Sequence, residues 1–453
     1  MFVPMRNTWL VALLFLVPAS FAQVPSNARI GEILADRIDV QKRSVGISVG
    51  VIDGSGRRVV SHGTLSKEGG PVDGDTVFEI GSVTKVFTAL LLADMVEQGE
   101  LRFDDAAGKH LPQEVTVPEA ITLEHLVTHM SGLPRMPSNS SPADPSNPFA
   151  DYTVDQMYEF LTGLTPIRGP GEKYEYSNLG GGLLGHILGL RAGVDYETLV
   201  QARIAEPLAM ESTAITLSDE LRARLALGHR NDLKQVSNWD IPTLAGAGAL
   251  RSTVNDMLSF VGANIGLVDT SLAPAMRALL ETRHETGMNG LEIARGWQIF
   301  KGENEVIWHN GGAGGYRSFV GFSPSAKVGV VVLSNSSVGV DDLGRHLLDQ
   351  KTPLMEAARE RTEITLEPEV LERYVGRYQL APNFVLTITR EEGMLFSQAT
   401  GQGRAPIFPE SEREFFLRVV EAQLTFEVDA EHRVTGLVLH QGGQTVPAKR
   451  IED

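Results

Sequence analysis

The chain has no cysteine in its 453 residues. Disulfides, a thiolate nucleophile, a cysteine zinc site and a lipid-anchored N-terminal cysteine are therefore excluded, and a chain of this length can build its core without covalent staples. Long apolar runs are nearly as scarce. The run Trp9 to Val17 is too short to span a bilayer. With Arg6 before it and Ser20-Phe21-Ala22 behind it, the pattern is that of a cleaved secretory signal over residues 1–22. No later segment approaches the roughly 18 apolar residues of a membrane helix, so a soluble periplasmic or secreted protein with no stable membrane insertion is expected. Basic residues are in deficit, 40 Lys and Arg against 57 Asp and Glu, for a net charge of −17. This balance speaks against nucleic acid and anionic membrane surfaces as partners. Two hydrolase signatures are missing as well. The one Gly-x-Ser-x-Gly, Gly46 to Gly50, falls inside the predicted strand Val45 to Ile52 and not at the strand-to-helix elbow that the α/β-hydrolase signature needs. His125 and His129 have the i, i+4 spacing of a zinc helix, but Leu126 stands where a zinc protease has glutamate. A helix cap and a core contact are expected of them, and no metal or cofactor is expected.

What is present centres on Phe78-Glu79-Ile80-Gly81-Ser82-Val83-Thr84-Lys85, which runs into an apolar helix from Val86 to Val96. Ser82 reads as a nucleophile. A serine hydroxyl needs a base within hydrogen-bond reach, and a lysine three residues on lies one helical turn up on the same face. The first turn also puts Ser82 at the positive end of the helix dipole. Ser82-x-x-Lys85 is the sole match to its pattern in the chain. Taken alone it equally describes an exposed helix cap with a solvated lysine. The unique Tyr176-Ser177-Asn178 sits in a loop before a glycine-rich helix. A phenol near two ammonium groups can act as phenolate base towards Ser82, and Asn178 can donate to a substrate carbonyl; the plainer reading is a half-buried tyrosine beside a cap. Trp308-His309-Asn310-Gly311-Gly312 ends a strand. Its glycines let a substrate backbone approach, and a free N–H at Gly312 can join that of Ser82 as an oxyanion hole, the plainer reading being a glycine-rich hairpin.

Around these motifs the periodicity predicts an amphipathic helix over Ser26 to Lys42, strands Val45 to Ile52 and Arg57 to Ser61 about an Asp53-Gly54-Ser55-Gly56 turn, and a helix from Thr122 to His129. Five prolines between Pro134 and Pro148 mark a long loop over a site. A capping box opens the next helix at Thr153, and further helices are predicted at Gly180 to Leu190, whose glycines close packing would explain, Asp195 to Ile204 and Ser252 to Gly262. The strands Gly296 to Phe300, Val306 to Asn310, Ser318 to Ser323 and Val328 to Ser334 then give an antiparallel sheet closed by the two ends of the large domain. Met355 to Glu363 reads as a helix end or linker. Beyond Tyr374, short alternating segments (Phe384 to Thr389, Met394 to Gln398, Phe415 to Val419, Leu424 to Val428, Val434 to His440) predict a small β-barrel or sandwich.

In their order and spacing the three motifs resemble those of the penicillin-recognising serine hydrolases, in the branch holding class C β-lactamases, D-Ala-D-Ala carboxypeptidases and family VIII esterases. The resemblance spans roughly Ile30 to Gln350, including Leu126 to Leu133 and Ala247 to Thr253, and the tail from about Leu366 is similar to the lipocalin-like domain of some members. It implies an α+β fold, an antiparallel sheet flanked by helices with an all-helical subdomain, plus a small C-terminal β-barrel. The domains expected are 1–22, 23–362 and 363–453. It also implies an acyl-enzyme on Ser82 with Lys85 and Tyr176 as catalytic partners, substrate contacts at Asn178, His309, Gly311 and Gly312, and a small-molecule or peptidoglycan-derived substrate. Carboxylesterase activity is the alternative within the fold, and a non-catalytic cell-wall-binding protein the alternative outside it. Two positions depart from the class C pattern. Thr84 stands where serine or alanine is usual, and His309 where lysine meets the substrate carboxylate.

Overall fold

The computed structural model describes residues 24–164, 168–302, 304–355, 361–381, 384–391, 393–400, 403–418, 422–441 and 444–451. The signal expected over residues 1–22 and the Val419 end of one predicted strand lie outside them. The chain forms two compact units, Met1–Leu354 and Met355–Asp453.

In the first unit, β1 (Gly46–Asp53) and β2 (Gly56–Gly63) make the predicted hairpin, and β3 (His284–Glu285), β4 (Leu291–Ile293), β5 (Gln298–Phe300), β6 (Val306–Ala313), β7 (Tyr316–Ser323) and β8 (Val328–Ser334) follow late in the sequence. They form one antiparallel sheet in the order β2-β1-β8-β7-β6-β5-β4-β3. The N-terminal hairpin is thus bonded to the last strand, with Ile47 opposite Ser334, as the sheet closed by its two ends required. Strands β1 and β8 are buried on both faces, so their sequences run almost continuously apolar. On one face lie α1 (Asn27–Ala35), which continues as a wider turn to Val40, and a late helix, Asp341–Leu348; Ile30, Ile33, Leu343 and Leu347 pack there against Val49, Trp308 and Phe319. The opposite face receives α2 (Thr84–Glu97) and the helices threaded between the two halves of the sheet: α3 (Leu123–Val127), α4 (Val154–Thr162), α5 (Asn178–Ala192) and α6 (Val254–Asn264). With the late helix labelled α7, the first unit is a helix–sheet–helix stack carrying a helical subdomain.

Helix α2 is apolar on every side because it runs through the middle of this core. From Thr76 to Ala93 every residue is buried except Ser82. The glycines of α5 have the close-packing role suggested by the sequence. A Cβ on Gly246, in the short helix Ala245–Gly248, would stand 2.8 Å from Gly185 Cα and 2.9 Å from the Gly181 carbonyl.

In the second unit eight strands from Gly376 to Ile451 follow one another round a closed antiparallel barrel, the first pairing with the last through Tyr378 and Arg450. Tyr374, Tyr378, Phe415 and Phe426 fill its inside. The barrel decides between the two predicted β architectures. Three of its strands, Gly376–Ala381, Ala405–Pro409 and Gln444–Ile451, were not predicted; they carry glycine or proline, residues that weaken a strand pattern.

Candidate active site

Ser82 lies in the tight turn Gly81–Val83 that leads into α2. Two neighbouring segments fix this turn. The Ile80 amide donates to the Leu250 carbonyl (3.0 Å), and the Leu250 amide donates back to Thr84 Oγ1 (3.2 Å). The hydroxyl at position 84, one of the two departures from the class C pattern, thus ties the Ala247 to Thr253 stretch to the nucleophile turn. From the sheet side, Ser318 Oγ donates to the Ile80 carbonyl (2.7 Å). Gly81 has φ +50° and lies so close to β6 that a Cβ there would stand 2.8 Å from the Gly312 nitrogen. Only glycine permits that approach.

Lys85 joins the motifs. Its ammonium donates to Ser82 Oγ (3.2 Å), Asn178 Oδ1 (2.8 Å) and the Ala247 carbonyl (2.7 Å), one acceptor for each of its three protons. Lys85 is 4% exposed, and burial holds its pKa below the usual lysine value, opposed by Tyr176 and assisted by the Arg135 charge. A lowered lysine pKa suits a proton acceptor. Tyr176 is enclosed by cations and a ring: Lys85 Nζ is 4.9 Å and the Arg135 guanidinium 5.0 Å from its centroid, and the His129 ring lies tilted against it with 4.4 Å between centroids. The second cation beside the phenol is therefore a guanidinium, where the sequence had suggested a second ammonium. Asn178 is the first residue of α5, capped by Ser177, whose hydroxyl accepts from the Gly180 amide and donates to the Pro134 carbonyl. The proline-rich loop borders this site: Arg135 covers Tyr176, and Asn178 Nδ2 reaches Met136 Sδ at 3.5 Å.

Strand β5 pairs with β6 only as far as Trp308, leaving the edge of β6 from His309 onward open on that side. A two-residue loop, Gly314-Gly315, joins β6 to β7 with Ala313 opposite Tyr316. The pair flanking such a loop exchanges hydrogen bonds, so alternation turns the Gly312 N–H and C=O away from β7 and towards the open edge. This is the orientation an oxyanion-hole donor beside Ser82 needs.

His309 lies on β6 beside Tyr176. It shares a sheet face with Ile307, packed towards α2, and is 1% exposed. Its Nδ1 lies 2.6 Å from the Asn310 carbonyl, so that nitrogen carries the proton; Nε2 is a lone pair with no partner. Burial, and then the charge of Lys85, push its pKa down to about 3. Where the class C pattern has a lysine, the ring is held neutral, because a second cation buried beside Lys85 is unfavourable.

Of the expected residues the structure brings together Ser82, Lys85, Tyr176, Asn178, Gly312 and the ring of His309, with Gly311 against the Ile80 carbonyl. His125 closes the capping box of α3 through Thr122, as expected. His129 lies under Tyr176 and accepts from the Ser177 amide, which its place in the chain did not signal. The Ala247 carbonyl and Arg135 were missed too, since a backbone acceptor and a loop cation leave no periodic trace. Among the described residues no cluster of side chains suited to a metal occurs.

A family model described as Beta-lactamase matches residues 28–352, and one described as Domain of unknown function (DUF3471) matches 360–450. The D-alanyl-D-alanine-carboxypeptidase/endopeptidase AmpH of Escherichia coli strain K12 is 28% identical over 355 residues, 72% of this chain and 90% of the relative. Penicillin-binding protein 4* of Bacillus subtilis strain 168 is 25% identical over 408 residues, 84% of this chain and 89% of the relative. Among solved structures, the D-alanine carboxypeptidase AmpC from Burkholderia cenocepacia superposes with a TM-score of 0.63 at 25% identity, over 72% of this chain and 99% of that one. A class C beta lactamase from Rhodobacter sphaeroides gives 0.62 at 24% identity, over 72% and 97%, and supports the fold.

Proposed function

Since the chain belongs to the Beta-lactamase family of serine hydrolases, we propose that it works through an acyl-enzyme on Ser82, with β-lactams or D-amino-acid peptides as acyl donors. One observation carries this reading: a single buried ammonium, Lys85, bonded at once to the hydroxyl of Ser82 and the amide oxygen of Asn178. Lys85 in its neutral form, which its lowered pKa favours, acts with Tyr176 to take the Ser82 proton as Oγ bonds to the acyl carbon, and the N–H groups of Ser82 and Gly312 hold the oxyanion. The proton then passes to the departing nitrogen as its bond to carbon breaks. Water, activated by the same pair, releases the acyl group. Asn178 Nδ2 orients the acyl chain. A peptidoglycan-derived donor and a periplasmic or secreted location fit the signal pattern at residues 1–22. One observation favours a carboxylesterase as the second reading. His309 is neutral, and an uncharged ester needs no cation there.

Labelling with a fluorescent penicillin and a fluorophosphonate tests the assignment. Ser82→Ala should abolish both labels while the fold is kept. Lys85→Ala and Tyr176→Phe should each slow single-turnover acylation by about a hundred- to ten-thousand-fold, the usual effect of losing a positioned proton-transfer group. Label retained on another residue in Ser82→Ala would sink the proposal.

A further inference from the structure

With His309 neutral, β6 itself carries no cation for a carboxylated acyl donor to meet, and a guanidinium stands on the facing strand. Arg317 stands directly opposite Gly312 in the β6–β7 register. Both point to the face of the sheet that carries α7, because His309 and Gly311 take the other. Gly312 is exposed and Arg317 half-buried. Gly312 has no side chain, so the guanidinium lies across it: a Cβ there would be 2.7 Å from one terminal nitrogen of Arg317 and 3.2 Å from its central carbon. The guanidinium therefore borders the peptide whose N–H turns to the open edge beside Ser82. One terminal nitrogen donates to the Tyr316 carbonyl (2.9 Å), and among the described residues no carboxylate pairs with it. The carboxylate acting on it from a distance is Asp341, at the start of α7, which accepts from Asn310 Nδ2 at 2.6 Å.

We infer that Arg317, rather than His309, receives the anionic group of the substrate, a carboxylate carried beside the scissile bond by a β-lactam or a C-terminal D-amino acid. A planar guanidinium with free N–H groups suits a carboxylate, and the single main-chain bond leaves part of its fork available. Asp341, set behind it, weakens that grip. This inference rests on the acyl-enzyme reading and assigns specificity within it.

The test compares acylation of the full chain by benzylpenicillin, a D-Ala-D-Ala-terminated peptide and an uncharged nitrophenyl ester. Arg317→Gln should raise KM for the two carboxylated donors by about ten- to a hundredfold, the range for losing a charged hydrogen bond. The ester and the fluorophosphonate rate should stay within about twofold of wild type, which shows that Ser82 and the oxyanion hole are intact. Asp341→Asn, which removes the opposing charge, should lower KM for the carboxylated donors alone. The inference is overturned if Arg317→Gln changes all donors alike, since the guanidinium then only supports Gly312. It is overturned equally if neither variant separates carboxylated from neutral donors. A wild-type protein that the fluorophosphonate does not label at Ser82 would instead refute the acyl-enzyme reading, whatever Arg317 does.

Discussion

Burial beside Lys85 sets the charge of His309 and His129. The first has a pKa near 3, and burial with the charge of Lys85 holds the second well below the usual histidine value. In the unfolded chain each titrates near 6.5. Between these values the unfolded state binds protons that the folded state refuses, so stability rises with pH. For His309 the contribution is complete above about pH 6.5 and is lost as pH falls towards 3, by about 1.4 kcal/mol per pH unit, and His129 acts in the same sense. Asp341, raised to about 6 by burial, acts in the opposite sense, losing stability as pH rises from about 4 to 6. The informative measurement is therefore a difference. Urea unfolding of His309→Gln and wild type between pH 4.5 and 7.5 should show a shallower acid loss in the variant, whereas parallel curves would mean that the fold does not hold His309 neutral. The same shift predicts that KM for a carboxylated substrate owes no pH dependence between 5 and 8 to this ring.

The contact of α5 with Ala245–Gly248 carries the Ala247 carbonyl to Lys85. Gly246→Ala forces backbone against backbone at Gly185 and Gly181. It should destabilise by about 1–3 kcal/mol, the usual result of overpacking, and slow acylation as the carbonyl withdraws. Urea midpoints and single-turnover rates check both; an unchanged midpoint would show that the helices separate freely. Such pairings were only half legible. The glycines of α5 announced close packing, and the apolar periodicity placed α2, β1, β7 and β8 to within a few residues. Strands β3 and β4, the last two at one end of the sheet, were missed because two or three residues show no period.

At the level of the molecule, the unit from Met355 has its own core, with Tyr374, Tyr378, Phe415 and Phe426 inside a barrel that leaves no strand edge open. Every side chain assigned to catalysis precedes it. We expect a chain truncated after Leu354 to fold and to take the fluorescent penicillin at the wild-type rate. A truncated chain that unfolds cooperatively yet labels slowly would instead give the barrel a part in building the site. No helix among the described residues is long and apolar enough to cross a membrane.

The sequence by itself determined the three motifs, their order, the family and the sequence of helices and strands, because each is written in local spacing. It also held the nucleophile and lysine together, since three residues on a helix make one turn. Tertiary structure alone decided the charges and the neighbours. The carbonyl that takes the third proton of Lys85 lies 162 residues away in the chain. His309 has the place of a cation but is neutral because the sheet and α2 exclude water from it, and Arg317 reaches Gly312 only through the β6–β7 register. Charge state follows burial and partners, and neither can be read from the spacing of residues along the chain.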